Sequence, residues 1–487
     1  MKNSLYILTL GLLLGILFLT ACQSGDLSNE DSGLPVVSRT DSCYLNLQIV
    51  DNTKPTTRAT IAATAAENAV YDGILCIFEG PNETTATLKT AVAIDQLIKN
   101  PGSTNDPQTM NITQRLAYGT HPYVTGQHLY VLALLNTTST GFRIGGTNKN
   151  VLFYKGATKT GSTISQIQTL HINSVGSTDE HVGLFMSNAP QDGYIMPEIT
   201  SAYLFDTPAA AAAGNRLTIN VERAAAKVTV TNTATTVSSF KLDNDDSRHP
   251  IVHRMTWALH NYNKVSYAIR NGSTAAENWA TSVTGEGIPI AFVNSGTDAF
   301  DLYKQQSFSD GESVYVAENT TAVADDQTQD FVEVQLKEGS FLLGDCYKYE
   351  LWGTTIFFTS AEKFIRYCKA GWKDTFSQNA AYAVIKDKSA DEVFKYYSFV
   401  INNNGTVTVT ITNNSFTDAE KAGLSSLSSI LSGTLKGYRD GKMYFAYKIK
   451  HDDTPTYGVV RNNAYNLTFT GVPGIGDPVP TPTVDTP

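Results

Sequence analysis

Few residues in this chain have the types and spacing of a catalytic or metal centre. His249 and His253 stand four apart, as two metal-ligating imidazoles on one helix would, but Pro250 between them breaks such a helix. They read as separate loop or strand-end histidines. The run Asp243, Asn244, Asp245 and Asp246 offers the oxygens calcium takes, without the glycine and distal glutamate of an EF-hand loop, and reads as a solvated acidic turn. Asp179, Glu180 and His181 read as polar loop. There is no HExxH, no GxSxG, no glycine-rich phosphate loop after a strand and no CxxC pair. We therefore expect no catalytic residue, no metal and no cofactor, and a protein that is not an enzyme. The chemistry its residues suggest is done to the chain rather than by it.

Two positions carry that suggestion. Lys2 supplies a positive start, residues 5–19 are apolar and uncharged, and Leu19-Thr20-Ala21-Cys22 leads small residues into a cysteine. The quartet resembles a bacterial lipobox, in which the signal is cut before the cysteine and the thiol of Cys22 carries lipid. A secretory signal with an incidental cysteine, or a signal anchor, are the alternatives. The polar, acidic tract 23–32 that follows suits a tether. No later stretch approaches the ~20 apolar residues that span a bilayer as a helix.

The second position is Arg58. Within residues 41–60, Cys43, Leu45, Leu47 and Ile49 alternate with Tyr44, Asn46 and Gln48, the pattern of a half-buried strand. The strand runs into a polar loop containing Pro55 and ending in Thr57-Arg58-Ala59, the kind of loop proteases favour. A cut between Arg58 and Ala59 would make the first strand removable and leave a sheet with an unfilled groove. A disulfide between Cys43 and Cys76 would tether that strand, so removal requires free thiols there.

The remaining chain must build that sheet. Its 487 residues include 41% hydrophobic and only 17% charged, with 24 Tyr and 21 Phe, the balance of an exported all-β protein. A formal charge of −10 argues against nucleic acid and anionic membrane surfaces. The apolar runs 74–78 and 129–135 suit central buried strands, and 183–188 a third. Residues 61–70 suit a short helix or coil. Alanines 209–213 read as a low-complexity spacer, and a domain boundary is expected near residue 222. Beyond it, 255–267, 314–316, 331–336, 406–412, 444–449 and 466–470 read as strands. Capping boxes at Thr359/Glu362, Ser389/Glu392 and Thr417/Glu420 start short helices, and Leu424, Leu427 and Leu431 give the last one an apolar face. Residues 474–487 read as a proline-rich tail without core-forming content. The fold class expected is all-β with short helical insertions.

These stretches, in order, resemble the fimbrillins, lipoprotein-precursor subunits of type V pili, and within them the minor-fimbrillin branch. The resemblance runs from the lipobox to about Pro480. It rests on the strand and loop to Arg58; on Glu67, Val70 and ILCIF; on LYVLALLN and GLFMSN; on VERAAAKVTV from Val221; on MTWALHNYNKVSYAIRN; on YVAENT from Tyr315; and on VVRNNAYNLTFTGV from Val459. It implies two tandem transthyretin-like β-sandwich domains, here 59–222 and 223–473. They follow a signal peptide at 1–21 and a propeptide at 22–58 holding the tether and removable strand, and precede the tail at 474–487. It implies surface export as an outer-membrane lipoprotein through Cys22, cutting after Arg58 by an arginine-specific protease, and insertion of a strand from another fimbrial subunit. A host or bacterial surface receptor would be the outer partner.

One departure stands out. Shaft subunits of the family continue after the proline-rich linker into an apolar donor strand, whereas only Val479 and Val484 follow here, interrupted by prolines. A tip or accessory subunit is one expectation from this, a truncated sequence the other. The alternative to a polymerising subunit is an unprocessed surface lipoprotein, either an adhesin for glycan or host ligand or a pilus anchor.

Overall fold

In the computed structural model the chain is all-β with short helices, as its composition leads one to expect. The structure describes residues 43–51, 64–94, 109–116, 127–145, 150–153, 163–168, 170–172, 174–178, 182–191, 193–263, 266–270, 307–320, 327–351, 353–375, 380–412, 415–451 and 457–481. All belong to one compact unit, Ser42–Pro487.

The first sheet has nine strands among the described residues. They are β1 (Cys43–Asp51), β2 (Gly73–Gly80), β3 (Thr87–Ala93), β4 (Thr109–Leu116), β5 (His128–Leu135), β6 (Met186–Asn188), β7 (Glu198–Ile199), β8 (Leu204–Phe205) and β9 (Leu217–Arg223). β2 pairs along its whole length with β5, which places both in the sheet interior. Their unbroken apolar runs follow from burial on both faces. Ile74, Cys76, Phe78, Leu132 and Leu134 face one core, and Leu75, Ile77, Val131, Ala133 and Leu135 face the other. Asn136 ends β5 in the left-handed region, φ 55°, which asparagine tolerates. Its side chain accepts from Tyr71 N (2.8 Å) and donates to Ala69 O (2.9 Å) and Leu184 O (2.8 Å), tying three segments together. Residues 65–68 form a turn rather than a helix.

Past Arg223 the chain leaves this sheet and at once enters another as β10 (Ala225–Asn232). β10 lies between β12 (Ser313–Ala317) and the late strand β20 (Ala464–Phe469). Facing it is a sheet centred on β13 (Gln329–Glu338), which pairs with β11 (Ile251–His260) and β19 (Lys442–Lys448). Val228, Val230, Met255, Trp257, Val332, Val334, Tyr465 and Phe469 fill the space between the two sheets. A third, smaller layer holds β14 (Cys346–Leu351), β15 (Thr354–Phe358), the hairpin β16 (Tyr397–Ile401) with β17 (Val407–Ile411), and β18 (Leu435–Tyr438), together with the later helices. The core on one side of the first sheet also takes in Ala225, Ala268 and Ala317, so the packing is continuous across the crossing at residues 223–225.

Four local expectations need correction. Alanines 209–213 are not a spacer but helix α2 (Pro208–Ala213), which among the described residues follows α1 (Ile164–Gln168). Alanine is the best helix former, Pro208 suits the first turn, and Thr207 caps it by accepting from Ala210 N (3.2 Å). Helix α3 (Ala361–Thr375) starts one residue later than Thr359 would set it: Ser360 Oγ accepts from Lys363 N (3.2 Å). Thr359 is held instead by Asp243, through its N–H (2.8 Å) and hydroxyl (2.9 Å). Asp243 is consequently no solvated acid, since Lys363 Nζ (2.6 Å) and Arg248 also bind it. Burial pushes its carboxyl up, but the bonds from Lys363 and Thr359 outweigh that and hold it below the ordinary range. The capping boxes at Ser389 and Thr417 do form, opening α5 (Ala390–Phe394), after α4 (Ala380–Ile385), and α6 (Asp418–Thr434). Leu424 on α6 is buried; Leu427 and Leu431 lie outside the described side chains.

The fourth correction concerns the tail. Ile475 packs on the core between the two later sheets, Val479 packs beside Phe331 and Tyr444, and Pro478 and Pro480 are buried. Asp477 and Tyr444 exchange both backbone hydrogen bonds at 2.9 Å. Proline ends regular structure without preventing burial, and this segment as far as Thr481 is part of the fold.

Candidate functional site at the first strand

Cys22, Arg58 and Ala59 lie outside the described residues, as do Asp179, Glu180 and His181. The element they bear on, β1, is described in full. It is an interior strand, not an edge. β4 pairs antiparallel along one side from Cys43↔Leu116 to Val50↔Thr109. Along the other side run β8, antiparallel at Tyr44 and Leu45, and then β9, parallel from Leu47↔Leu217 to Asp51↔Val221. Among the described strands β4 pairs with β1 alone, so β1 bridges β4 to the rest of the sheet.

The expected alternation is real. Leu45, Leu47 and Ile49 are fully buried in one core with Ile112, Leu116, Ile219 and Val221. Asn46, on the other face, donates to Gly214 O (3.0 Å) and Asn215 O (3.1 Å) just after α2. Three large aliphatic side chains at about 1.5–3 kcal/mol each make the apolar contribution of β1 comparable with the ~5–15 kcal/mol net stability of a typical domain. An empty β1 slot would therefore not persist.

The strand ends in a charged contact. Asp51, in phase with the buried leucines, binds the guanidinium of Arg223 at the end of β9, and both side chains are under a tenth exposed. Arg223 Nε donates to Glu67 O (3.1 Å), and Arg223 also binds the side-chain oxygen of Asn68. Burial pushes the Asp51 carboxyl above its ordinary value despite the pull of Arg223. Glu67 is held by Lys227 (3.0 Å) and the Tyr315 hydroxyl (2.8 Å). Burial raises its carboxyl, while bonds from Thr64 N, Lys227 and Tyr315 bring it below the ordinary range. These residues come from the stretches singled out around Glu67, VERAAAKVTV and YVAENT, which thus meet where β1 ends and the two large sheets adjoin.

Among the described residues no disulfide ties β1 down. Cys43, Cys76, Cys346 and Cys368 are free thiols, Cys43 half-buried and the others buried. The remaining candidates for chemistry are dispersed. His249 Nδ1 sits 3.0 Å from Phe240 O, and His253 is exposed on β11. Sequence reasoning overlooked the Asp51–Arg223 pair; its one signal was an aspartate in phase with the buried face of a strand.

The C-terminal region matches a family model. Residues 436–487, which contain most of β18, all of β19 and β20, and the packed tail, match the family model described as major fimbrial subunit protein type IV, fimbrillin, C-terminal. Over these residues the chain is similar to the fimbrillins. No curated protein matches the sequence. Among solved structures it is similar to a fimbrial assembly protein from Parabacteroides distasonis, at 12% identity and a TM-score of 0.33 over 62% of this chain and 83% of that one. It is also similar to a candidate cell adhesion protein from Bacteroides eggerthii, at 15% identity and a TM-score of 0.34 over 61% of this chain and 76% of that one. β1 itself is extended, paired on both sides, buried through alternate residues and, among the described residues, free of any disulfide.

Proposed function

We propose that the chain is a structural subunit of a cell-surface fimbrium, of the minor-fimbrillin kind, that mediates adhesion. It is exported as an outer-membrane lipoprotein through Cys22 and cut between Arg58 and Ala59 by an arginine-specific protease. Shedding of residues 22–58 carries β1 away, and a strand from another fimbrial subunit takes its place by β-augmentation. The mature subunit then comprises an N-terminal domain at 59–222 and a C-terminal domain at 223–473. The observation that carries this reading is the position of β1: an interior strand without a disulfide tether, whose loss leaves a groove lined by unpaired backbone and apolar side chains.

The deciding experiment is N-terminal sequencing of material from the cell surface, together with the variant Arg58→Ala. The proposal expects mature chains that begin at Ala59 and a variant that fails to enter fibres. A variant that enters fibres unchanged would remove the cleavage step.

The depth of β1 burial favours one second reading, an anchor or surface adhesin that keeps both lipid and first strand. Surface chains that still begin at lipidated Cys22 would establish it.

A further inference from the structure

Loss of β1 removes more than apolar surface. Asp51 leaves with it, and Arg223 stays behind on β9. Among the described residues the Asp51 carboxylate is the only acidic side chain bound to Arg223. Its other acceptors are neutral: Glu67 O, the Asn68 side chain and Asn462 Oδ1 (3.5 Å). The neighbouring Glu67 carboxylate is taken by Lys227 and Tyr315. A buried guanidinium deprived of its counter-charge is strongly unfavourable, whereas an exposed one would cost little. The groove left by β1 is therefore apolar along most of its length and cationic at one end.

We infer that the strand which fills this groove must place a carboxylate abreast of Val221, where Asp51 now stands, so that Arg223 selects for an acidic residue in the incoming subunit. The inference rests on the reading that β1 is exchanged, and it specifies the chemistry of the strand that replaces it. Running in the direction of β1, that strand carries apolar side chains where Leu45, Leu47 and Ile49 lie, and an aspartate or glutamate two residues beyond the last. The spacing fixes register as well as identity. A strand displaced by two residues still buries alternate apolar side chains but sets one of them against Arg223. Apolar alternation alone is a weak address, since many strands share it, and one buried charge turns it into a specific one.

The test uses the full chain, cut by an arginine-specific protease and still holding its own β1. It is challenged with synthetic peptides of residues 43–51 that carry Asp51 or the substitutions Asp51→Glu, Asp51→Asn or Asp51→Leu, and native mass spectrometry reads exchange. The Asp and Glu peptides are expected to displace the resident strand. The Asn and Leu peptides should need about 100-fold higher concentration. In an Arg223→Leu protein the order should invert, with the Leu peptide loading at least as well as the Asp peptide. Should that variant not fold, the four peptides on the unmutated protein decide alone. Equal loading of Asp, Asn and Leu peptides overturns the role of Arg223 while leaving strand exchange intact. If the cut chain admits no peptide at any concentration, strand exchange itself falls, and this inference with it.

Discussion

Arg461 and Glu318 form an ion pair with both side chains wholly buried, Nη2 lying 2.6 Å from Oε1. The same guanidinium donates to Ser266 Oγ (2.9 Å) and Tyr267 O (2.8 Å), so it joins the segment before β20 to the end of β12 and to residues 266–267. Arg270 and Glu222, paired at 2.6 Å, belong to the same region, for Glu318 also acts on Arg270. Together with Asp51–Arg223 and Glu67–Lys227, these pairs line the place where the first large sheet gives way to the second.

Breaking one partner of the Arg461–Glu318 pair should cost far more than removing both. Glu318→Gln or Arg461→Met is expected to lower unfolding stability by about 3–5 kcal/mol, because the survivor is a buried, uncompensated charge. The double variant Glu318→Leu/Arg461→Met should recover most of that loss. Denaturant titration of the four proteins checks it, and additive single losses in the double variant would contradict it.

Gly476 sits where the tail crosses β19. A Cβ there would lie 2.6 Å from Tyr444 O and 2.9 Å from the Phe445 ring, and backbone oxygen cannot move aside as a side chain can. The Gly476 carbonyl also accepts from the Tyr438 hydroxyl at 2.8 Å. Gly476→Val should therefore unseat residues 475–480 and destabilise the fold by about 1–3 kcal/mol. Limited proteolysis is the measurement: the variant should be cut within 474–481 under conditions that spare the original protein.

How far the sequence is legible depends on whether the deciding contact is local. β2 and β5 can be read from their apolar runs, because burial on both faces leaves that trace in the strand itself. The helices opened by Ser389 and Thr417 can be read from boxes three residues long. Thr359 misleads because Ser360 beside it is an equally good cap, and the choice falls to Asp243, 116 residues away. The tail misleads for the same reason: its prolines look like a solvated linker, and its burial depends on Tyr438, Tyr444 and Phe445. At the candidate site, the alternation of β1 is visible in the chain. The partner of Asp51, 172 residues away, is not.

The thiols bear on whether β1 can leave. Burial raises the pKa of Cys76 and Cys346 well above the ordinary thiol value, and raises that of Cys43 as well. A thiol-reactive reagent should label Cys43 slowly in the folded protein and leave Cys76 and Cys346 unmodified. After unfolding without reductant, Cys43, Cys76, Cys346 and Cys368 should all label. Recovery of a linked Cys43–Cys76 peptide from the mature protein would show that β1 is tethered.

Asp330 supplies a dependence on pH with a definite sign. It lies buried on β13, abreast of Tyr447 on β19, and burial pushes its carboxyl up to about 7. The unfolded chain would release that proton near pH 4. The folded state thus favours the protonated form, and its advantage is complete below pH 4 and is lost as pH rises through 7. Asp330→Asn mimics the protonated carboxyl at every pH. The variant should match the original protein at pH 4, gain stability relative to it through neutrality, and exceed it by about 4 kcal/mol at pH 8.5. Thermal unfolding of both proteins across this range is the measurement. A difference that stays constant with pH would mean that Asp330 does not take up a proton on folding.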